Sequence, residues 1–470
     1  MMGRMGQRMS ETEALMWAVE ADPNLGSTMG AVLILDGRPD PRHLRAVVTA
    51  AVAAMPRLRQ RVAQPLIPVG GAEWVPDRAF DLDHHLRHVR LPAPGTADLL
   101  RQLACQFVAD PFDRTRPLWQ VLAVDGLRGG RSAVVTKLHH SVADGTGALL
   151  AAQQLFQLSA DEPPPDPVDL SEVFDADLLA AGDGGRPPLA DQVLRGAERA
   201  LRFVSDAASA LTDPATVPAL GAQALDAARA LAAQLPGTAR HTSALWATRS
   251  RNRRLEWLAV PFDRAKARAH ELGGSLNDLF VTAVTEGAVA YHRHHGVEVD
   301  ELTATIVVST RDGAGADLAN AFVPAAVVLP ATAMGAEERF AAVSAVLAQH
   351  KAAAKRAREA IGPLAGLALL VPPPLAAVLA LDQASRIDFA TSNLRGLPVP
   401  VWLAGRRVRA LYPVGPVVGT AFNVTLMSNL DELHLGLHVD PVAVSDPAGL
   451  ARNVGAGFAQ LGVRPHRRAP

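Results

Sequence analysis

Between Asp161 and Pro167 the chain turns acidic and proline-rich, and the roughly eighty residues that follow are Ala-rich helical segments punctuated by Gly and Pro, such as Asp191 to Leu211 and Ala219 to Leu235. A stretch of that kind cannot sit inside a sheet-centred core. It divides the chain into a mixed strand-and-helix part over residues 1–160, a helical connector over 161–250, and a second mixed part over 251–470. At a prior of about 150 residues per domain, 470 residues agree with two or three domains. A composition that is 49% hydrophobic and 20% charged supplies large buried cores and excludes a disordered or collagen-like chain. The fold class predicted is α/β.

Within the first part, Met29 to Leu35 predicts a strand closed by Asp36 and Gly37, and Pro41 to Met55 predicts a helix. Trp119 to Val124 and Ser132 to Leu138 predict two strands joined by the Gly-Arg turn at Gly126 to Arg131, with a helix from Thr146 to Leu158 behind them. In the second part, a strand at Leu255 to Val260 and helices at Phe262 to Leu272 and Leu276 to His292 are expected. Further strands are expected at Thr303 to Ser309, Ala321 to Val328, Val399 to Leu403 and Leu433 to Val439.

Charge and cysteine content narrow the function classes. Lys plus Arg total 46 against 47 Asp plus Glu, so a net charge of −1 offers no global field for nucleic acid or an anionic membrane. The single Cys105 excludes a disulfide within the chain and fits a reducing compartment, and Met1 to Ser10 lack the apolar run of a signal peptide. A cytoplasmic protein is expected. Ile361 to Leu381 is long and uncharged, but Pro372, Pro373 and Pro374 break it into two short apolar helices, buried or lying on a membrane surface. With Arg464, Arg467 and Arg468 in the tail, it suggests peripheral contact with the inner membrane face or lipid droplets.

The feature that carries chemistry is Lys137-Leu138-His139-His140-Ser141-Val142-Ala143-Asp144-Gly145, where two adjacent imidazoles end a hydrophobic strand and enter an Asp-Gly turn. A neutral imidazole titrates near neutrality and can take a proton from a hydroxyl or an amine. If strand geometry persists, the two rings point to opposite faces, so that one can reach a cleft while the other packs inside. Asp144 can pin the loop or pair with an arginine, and Gly145 supplies a conformation that a side chain would hinder. Chance adjacency is the competing explanation, as His84-His85 and His294-His295 illustrate. A metal site on His140 and Asp144 lacks a closely spaced third ligand, and Ser141 lacks the GxSxG elbow of a hydrolase, so no metal or serine nucleophile is assigned.

The same residues resemble a known pattern. His139 to Gly145 match the HHxxxDG motif of the CoA-dependent acyltransferase superfamily. Pro117-Leu118-Trp119 match the PLW motif, and Asn277-Asp278 the ND motif, of the bacterial wax ester synthase/diacylglycerol acyltransferase family. Looser similarities are Ser10 to Trp17, Pro56 to Arg61, and Ser309 to Asn320 with Arg311. Where that family commonly has Ser-Asn-Val-Pro-Gly-Pro, this chain has Ser392-Asn393-Leu394-Arg395-Gly396-Leu397-Pro398, placing a charge where an imino acid is usual.

The resemblance implies two chloramphenicol-acetyltransferase-like domains joined by a helical connector, with His140 in a channel between them. It implies an O-acyltransferase that moves a long-chain acyl group from acyl-CoA, a co-substrate and not a bound cofactor, to diacylglycerol or a fatty alcohol. By the resemblance His140 is the base, with His139 and Asp144 in support. Gly145, Pro117, Leu118, Trp119, Asn277 and Asp278 shape the site. Two other readings use the same fold: a condensation-type enzyme with an amine or carrier-bound acceptor, and a non-catalytic lipid-binding protein. From the residues alone, Trp119 is also explained as strand-edge packing, and Asn277 and Asp278 as helix N-terminal caps.

Overall fold

The computed structural model describes residues 7–10, 13–14, 16–17, 20, 23–63, 72–143, 154–180, 243–309, 322–361 and 384–466. In chain order the first half contributes β1 (Gln7–Arg8), β2 (Thr28–Leu35), α1 (Pro41–Ala54), β3 (Gln60–Ala63), β4 (Glu73–Pro76) and α2 (Leu82–His85). It continues with β5 (Leu86–Arg90), α3 (Ala97–Ala109), β6 (Trp119–Leu127), β7 (Arg131–His139) and α4 (Leu170–Ala180). The second half begins with β8 (Arg254–Pro261), α5 (Phe262–Glu271), α6 (Leu276–His294), β9 (Glu301–Ser309), β10 (Phe322–Pro330) and α7 (Ala336–Ile361). It ends with β11 (Phe389–Leu394), β12 (Trp402–Leu403), β13 (Arg406–Val414), β14 (Phe422–Asn429), β15 (Glu432–Val439) and α8 (Pro447–Gln460).

Local chemistry accounts for the elements that position the site. In β7 the side chains alternate, Ala133 and Val135 packing with Leu100, Ala104 and Val108 of α3 while Val134 packs on the opposite face with Leu44, Val47 and Val48 of α1. Helix α1 starts where the Asp40 carboxylate accepts the Arg42 N–H at 2.9 Å and Pro41 fills the first position. It buries Leu44, Val47, Val48, Ala51 and Val52 at helical spacing. The outcome is a layered sheet, covered on both faces, whose central strand β7 ends at His139.

Two six-stranded sheets organise the molecule. The first runs β12-β13-β2-β7-β6-β5 and the second β10-β9-β11-β14-β15-β8, and a small sheet β1-β4-β3 flanks the first. Strands β12 and β13 therefore leave the C-terminal half of the chain and complete the first sheet, β13 pairing antiparallel with β2 from Val408↔Leu35 to Val414↔Gly30. The junction is tight where β13 crosses β15: a Cβ on Gly436 would lie 1.7 Å from the Pro413 carbonyl oxygen. Gly436→Ala must push the two sheets apart, and a loss of about 3 kcal/mol is expected. An unchanged urea midpoint would show that the contact is looser than described.

The expected strands at 29–35, 119–124, 132–138, 255–260, 303–309 and 433–439 are present, as are the helices from Pro41, Phe262 and Leu276. Three expectations need correction or fall elsewhere. The helix Thr146 to Leu158 does not extend to its predicted end, because residues 154–158 are turns and bends and Gln157 bridges Trp402 through reciprocal backbone bonds of 2.8 and 2.9 Å. Only Trp402 and Leu403 of the strand expected at Val399 to Leu403 pair. Most of the helical connector (181–242), the apolar segment 362–383, Arg311, Arg467 and Arg468 lie outside the described residues. Among the described residues no helix is long and apolar enough to cross a membrane.

Candidate active site

The two adjacent histidines occupy different environments. His139, the last residue of β7, is 1% exposed, whereas His140 in the following turn is partly open to solvent. Backbone bonds fix both: His139 N–H donates to the Leu118 carbonyl at 3.0 Å, and His140 N–H to the Ser27 carbonyl at 2.9 Å. The Leu118 bond ties the Pro117-Leu118-Trp119 segment directly to the histidine pair.

Both ring nitrogens of His139 are engaged. Its Nδ1 accepts the Ser141 backbone N–H at 3.1 Å and lies 2.6 Å from Ser141 Oγ, so Nε2 carries the proton and donates to Glu20 Oε2 at 2.5 Å. Trp17 and Phe112 present edges to the ring, with centroids 6.0 and 6.4 Å away. Glu20 Oε1 also accepts the Ser27 N–H at 3.1 Å, and Arg114 Nη2 donates to Oε2 at 3.1 Å. Burial pushes the Glu20 carboxyl upward, but the hydrogen bond from His139, the Ser27 N–H and Arg114 together outweigh it and hold Glu20 below its ordinary value. The carboxylate therefore stays ionised and grips both the residue before His140 and the residue whose carbonyl holds the His140 backbone.

Trp119 is buried packing. Its indole N–H donates to the Leu58 carbonyl at 2.8 Å, and its ring stacks on His85 at 4.5 Å. His85 Nδ1–H donates to the Trp119 carbonyl at 2.7 Å, and burial is the largest cause that brings this imidazole down to about 4, so it stays neutral. Cys105 is buried as well, which pushes its thiol up to about 11 and makes it an inert core residue.

At the start of α6, Ser275 and Asp278 form a reciprocal capping box: Asp278 N–H donates to Ser275 Oγ at 3.3 Å and Ser275 N–H to Asp278 Oδ2 at 2.7 Å. Asn277 Oδ1 accepts from Asn393 Nδ2 at 3.3 Å, which joins the ND pair to the Ser392 to Pro398 segment, where Arg395 is exposed. The structure thus brings Leu118 to His139, and Asn277 to Asn393. Asp144 and Gly145 lie outside the described residues. Glu20 was not anticipated from the sequence, since it stands 119 positions from His139 with no local motif around it.

A cavity of about 530 Å³ opens beside His139, walled by Trp17, Glu20 and Arg114 from the first half of the chain and by Arg251, Arg253 and His438 from the second. Among the described residues no group of three or more His, Cys, Asp or Glu could hold a metal ion.

With that geometry in place, comparison with known proteins defines the class. Residues 9–280 match the model of the wax ester synthase/diacylglycerol acyltransferase catalytic domain, and residues 319–462 that of the C-terminal domain of the same family. The chain belongs to the wax ester synthase/diacylglycerol acyltransferase family and is an acyltransferase. A Mycobacterium tuberculosis relative named a putative diacylglycerol O-acyltransferase is 30% identical over 468 residues, covering 97% of this chain and 92% of the relative. A second, named a probable diacylglycerol O-acyltransferase, is 28% identical, covering 96% and 94%.

Among solved structures, the wax ester synthase/diacylglycerol acyltransferase from Marinobacter aquaeolei VT8 superposes with a TM-score of 0.63 at 19% identity, covering 97% of this chain and 98% of that one. The first condensation domain of the calcium-dependent antibiotic synthetase gives 0.60 at 16%, covering 98% and 97%. These likenesses establish the two-sheet, chloramphenicol-acetyltransferase-like α/β fold.

Proposed function

We propose that the protein transfers a long-chain acyl group from acyl-CoA to the hydroxyl of diacylglycerol or a long-chain alcohol, with His140 as general base. The observation that carries the assignment within the pair is the contrast in accessibility. His139 is buried with both nitrogens engaged, while His140 remains partly open and has its backbone anchored to Ser27. His140 takes the hydroxyl proton as the oxygen attacks the thioester carbonyl, and the tetrahedral intermediate collapses by breaking the C–S bond. The departing thiolate recovers the proton from the imidazolium, giving an ester and free CoA thiol without a covalent acyl-enzyme.

Asp144 and Gly145 support the turn in this reading, and Asn277 and Asp278 act through the shape of the second half. The protein works in the cytoplasm at a lipid surface, a proposal motivated by the uncharged run Ile361 to Leu381. An acceptor screen with palmitoyl-CoA and purified protein tests the substrate class. Triacylglycerol from diacylglycerol, or wax ester from hexadecanol, is expected. Transfer only to an amine or a carrier-bound acceptor would replace this reading with the condensation type, and acyl-chain binding without CoA release in any condition would replace it with a lipid-binding role.

Glu20 acts on this reaction by positioning. Glu20→Gln keeps the side-chain shape but removes the charge that holds His139 and Arg114, and turnover is expected to fall about ten- to a hundred-fold with KM little changed. Full turnover in a correctly folded Glu20→Gln protein would contradict that role.

A further inference from the structure

We propose that the second-half wall of the cavity beside His139 seats the phosphate-bearing end of the thioester donor, with Arg251 and Arg253 as cationic contacts and His438 as a hydrogen-bond acceptor. The inference rests on the acyl-CoA reading above and deepens it. It starts from charge. Four arginines, Arg249, Arg251, Arg253 and Arg254, fall within six residues leading into β8. Two carboxylates answer part of that charge: Asp388 faces Arg249, and Asp440 faces both Arg249 and Arg253. Across the cavity Arg114 is answered by Glu20. Arg251 lines the cavity, is exposed, and has no ion pair among the described residues. Arg253 lines it as well, with Nη1 donating to the Ser250 and Asn252 carbonyls, both at 2.8 Å, which fixes the guanidinium in place.

His438 adds a polar contact of the opposite sense. It is 4% exposed and lines the same cavity, its Nδ1–H donates to the Gly415 carbonyl at 2.8 Å, and its Nε2 is a buried acceptor with no hydrogen-bond partner among the described residues. Burial, with Arg253 nearby, lowers this imidazole to about 4, so the ring is neutral and Nε2 can only accept. A ligand that suits this wall therefore carries anionic oxygens for the arginines and an N–H or O–H for His438.

Diacylglycerol and fatty alcohols are uncharged and have no use for a cationic wall with an unpaired guanidinium at Arg251. The phosphates, ribose hydroxyls and amides of a CoA thioester supply both kinds of partner. His139 and Glu20 stand at the first-half wall of the same cavity, and the pantetheine arm separates the phosphates seated at the arginine wall from the thioester that reacts at His140. The positive wall is thus assigned to the donor.

The test is CoA binding by calorimetry, which needs no turnover, in the wild type and in Arg251→Glu, Arg251→Gln and Arg251→Lys proteins. Arg251 is exposed, so the fold should tolerate all three. The dissociation constant is expected to rise about tenfold in Arg251→Glu and to recover in Arg251→Lys, with weaker salt dependence in Arg251→Gln. Binding of pantetheine, which lacks the phosphates, should be unaffected. Unchanged CoA affinity in Arg251→Glu overturns the inference alone and leaves the acyltransferase reading standing. Equal weakening of pantetheine overturns it in favour of a structural effect. Arg251-dependent binding of phosphatidic acid vesicles with no effect on CoA overturns it in favour of a lipid headgroup. A wild type that binds no CoA overturns the functional reading as well.

Discussion

Purified His140→Ala protein is expected to lose about a hundred- to ten-thousand-fold in acyl-transfer rate, the range over which a positioned base contributes, while still binding CoA. The reason is steric as well as chemical. His139 cannot substitute, because its Nδ1 accepts the Ser141 N–H and its Nε2 proton is committed to Glu20 inside a wall made by Trp17 and Phe112. His139→Ala should fail differently, by releasing Glu20 and the turn, with a lower thermal midpoint alongside its lower rate. Two variants with the same rate loss and the same midpoint would mean that the histidines are not divided into a base and a strut.

The largest expected stability effect lies far from that site. Arg339, 1% exposed, donates from Nε to Glu286 Oε1 at 2.7 Å and from its Nη atoms to the Pro330 and Thr332 carbonyls at 2.5 and 2.9 Å. The pair joins α7 to α6 and to the end of β10, beside the core of the second sheet. Glu286→Ala leaves a buried guanidinium without its counter-charge, and a loss of about 3–5 kcal/mol is expected. Glu286→Gln, which keeps an acceptor, should lose less. Chemical denaturation followed by far-UV circular dichroism measures both. Equal midpoints for wild type and Glu286→Ala would contradict the burial of this charge.

The parts of the fold that were legible in the sequence are those in which local pattern and tertiary role agree. The alternating run Ser132 to Leu138 packs both faces of β7, and Asp278 takes part in the helix cap as expected, although its partner there is Ser275 and not Asn277. Strand β13 was not legible. No strand was expected over Arg406–Val414, where Arg406, Arg407, Arg409 and Pro413 interrupt the apolar pattern, and it is pairing with β2, more than 370 residues earlier, that makes the segment a strand. The end of the helix expected at Leu158 failed for the same reason, since Gln157 is captured by Trp402.

The site divides likewise. The histidine pair and the Pro117 to Trp119 segment announce themselves as motifs, and the structure joins them through the Leu118 carbonyl. Glu20 and Arg251 carry no motif; each gains its place only when distant strands bring it to the cavity wall. Trp119 turned out to serve packing, its indole bound to Leu58 and stacked on His85.

The most direct test of the central claim is thiol release from palmitoyl-CoA by wild-type and His140→Ala protein, each offered diacylglycerol, hexadecanol or no acceptor, with the lipid product identified by mass. The account predicts release that requires an acceptor, a matching ester product, and loss of both in the variant. Release at the wild-type rate by His140→Ala, or release that ignores the acceptor and yields free fatty acid, would contradict it.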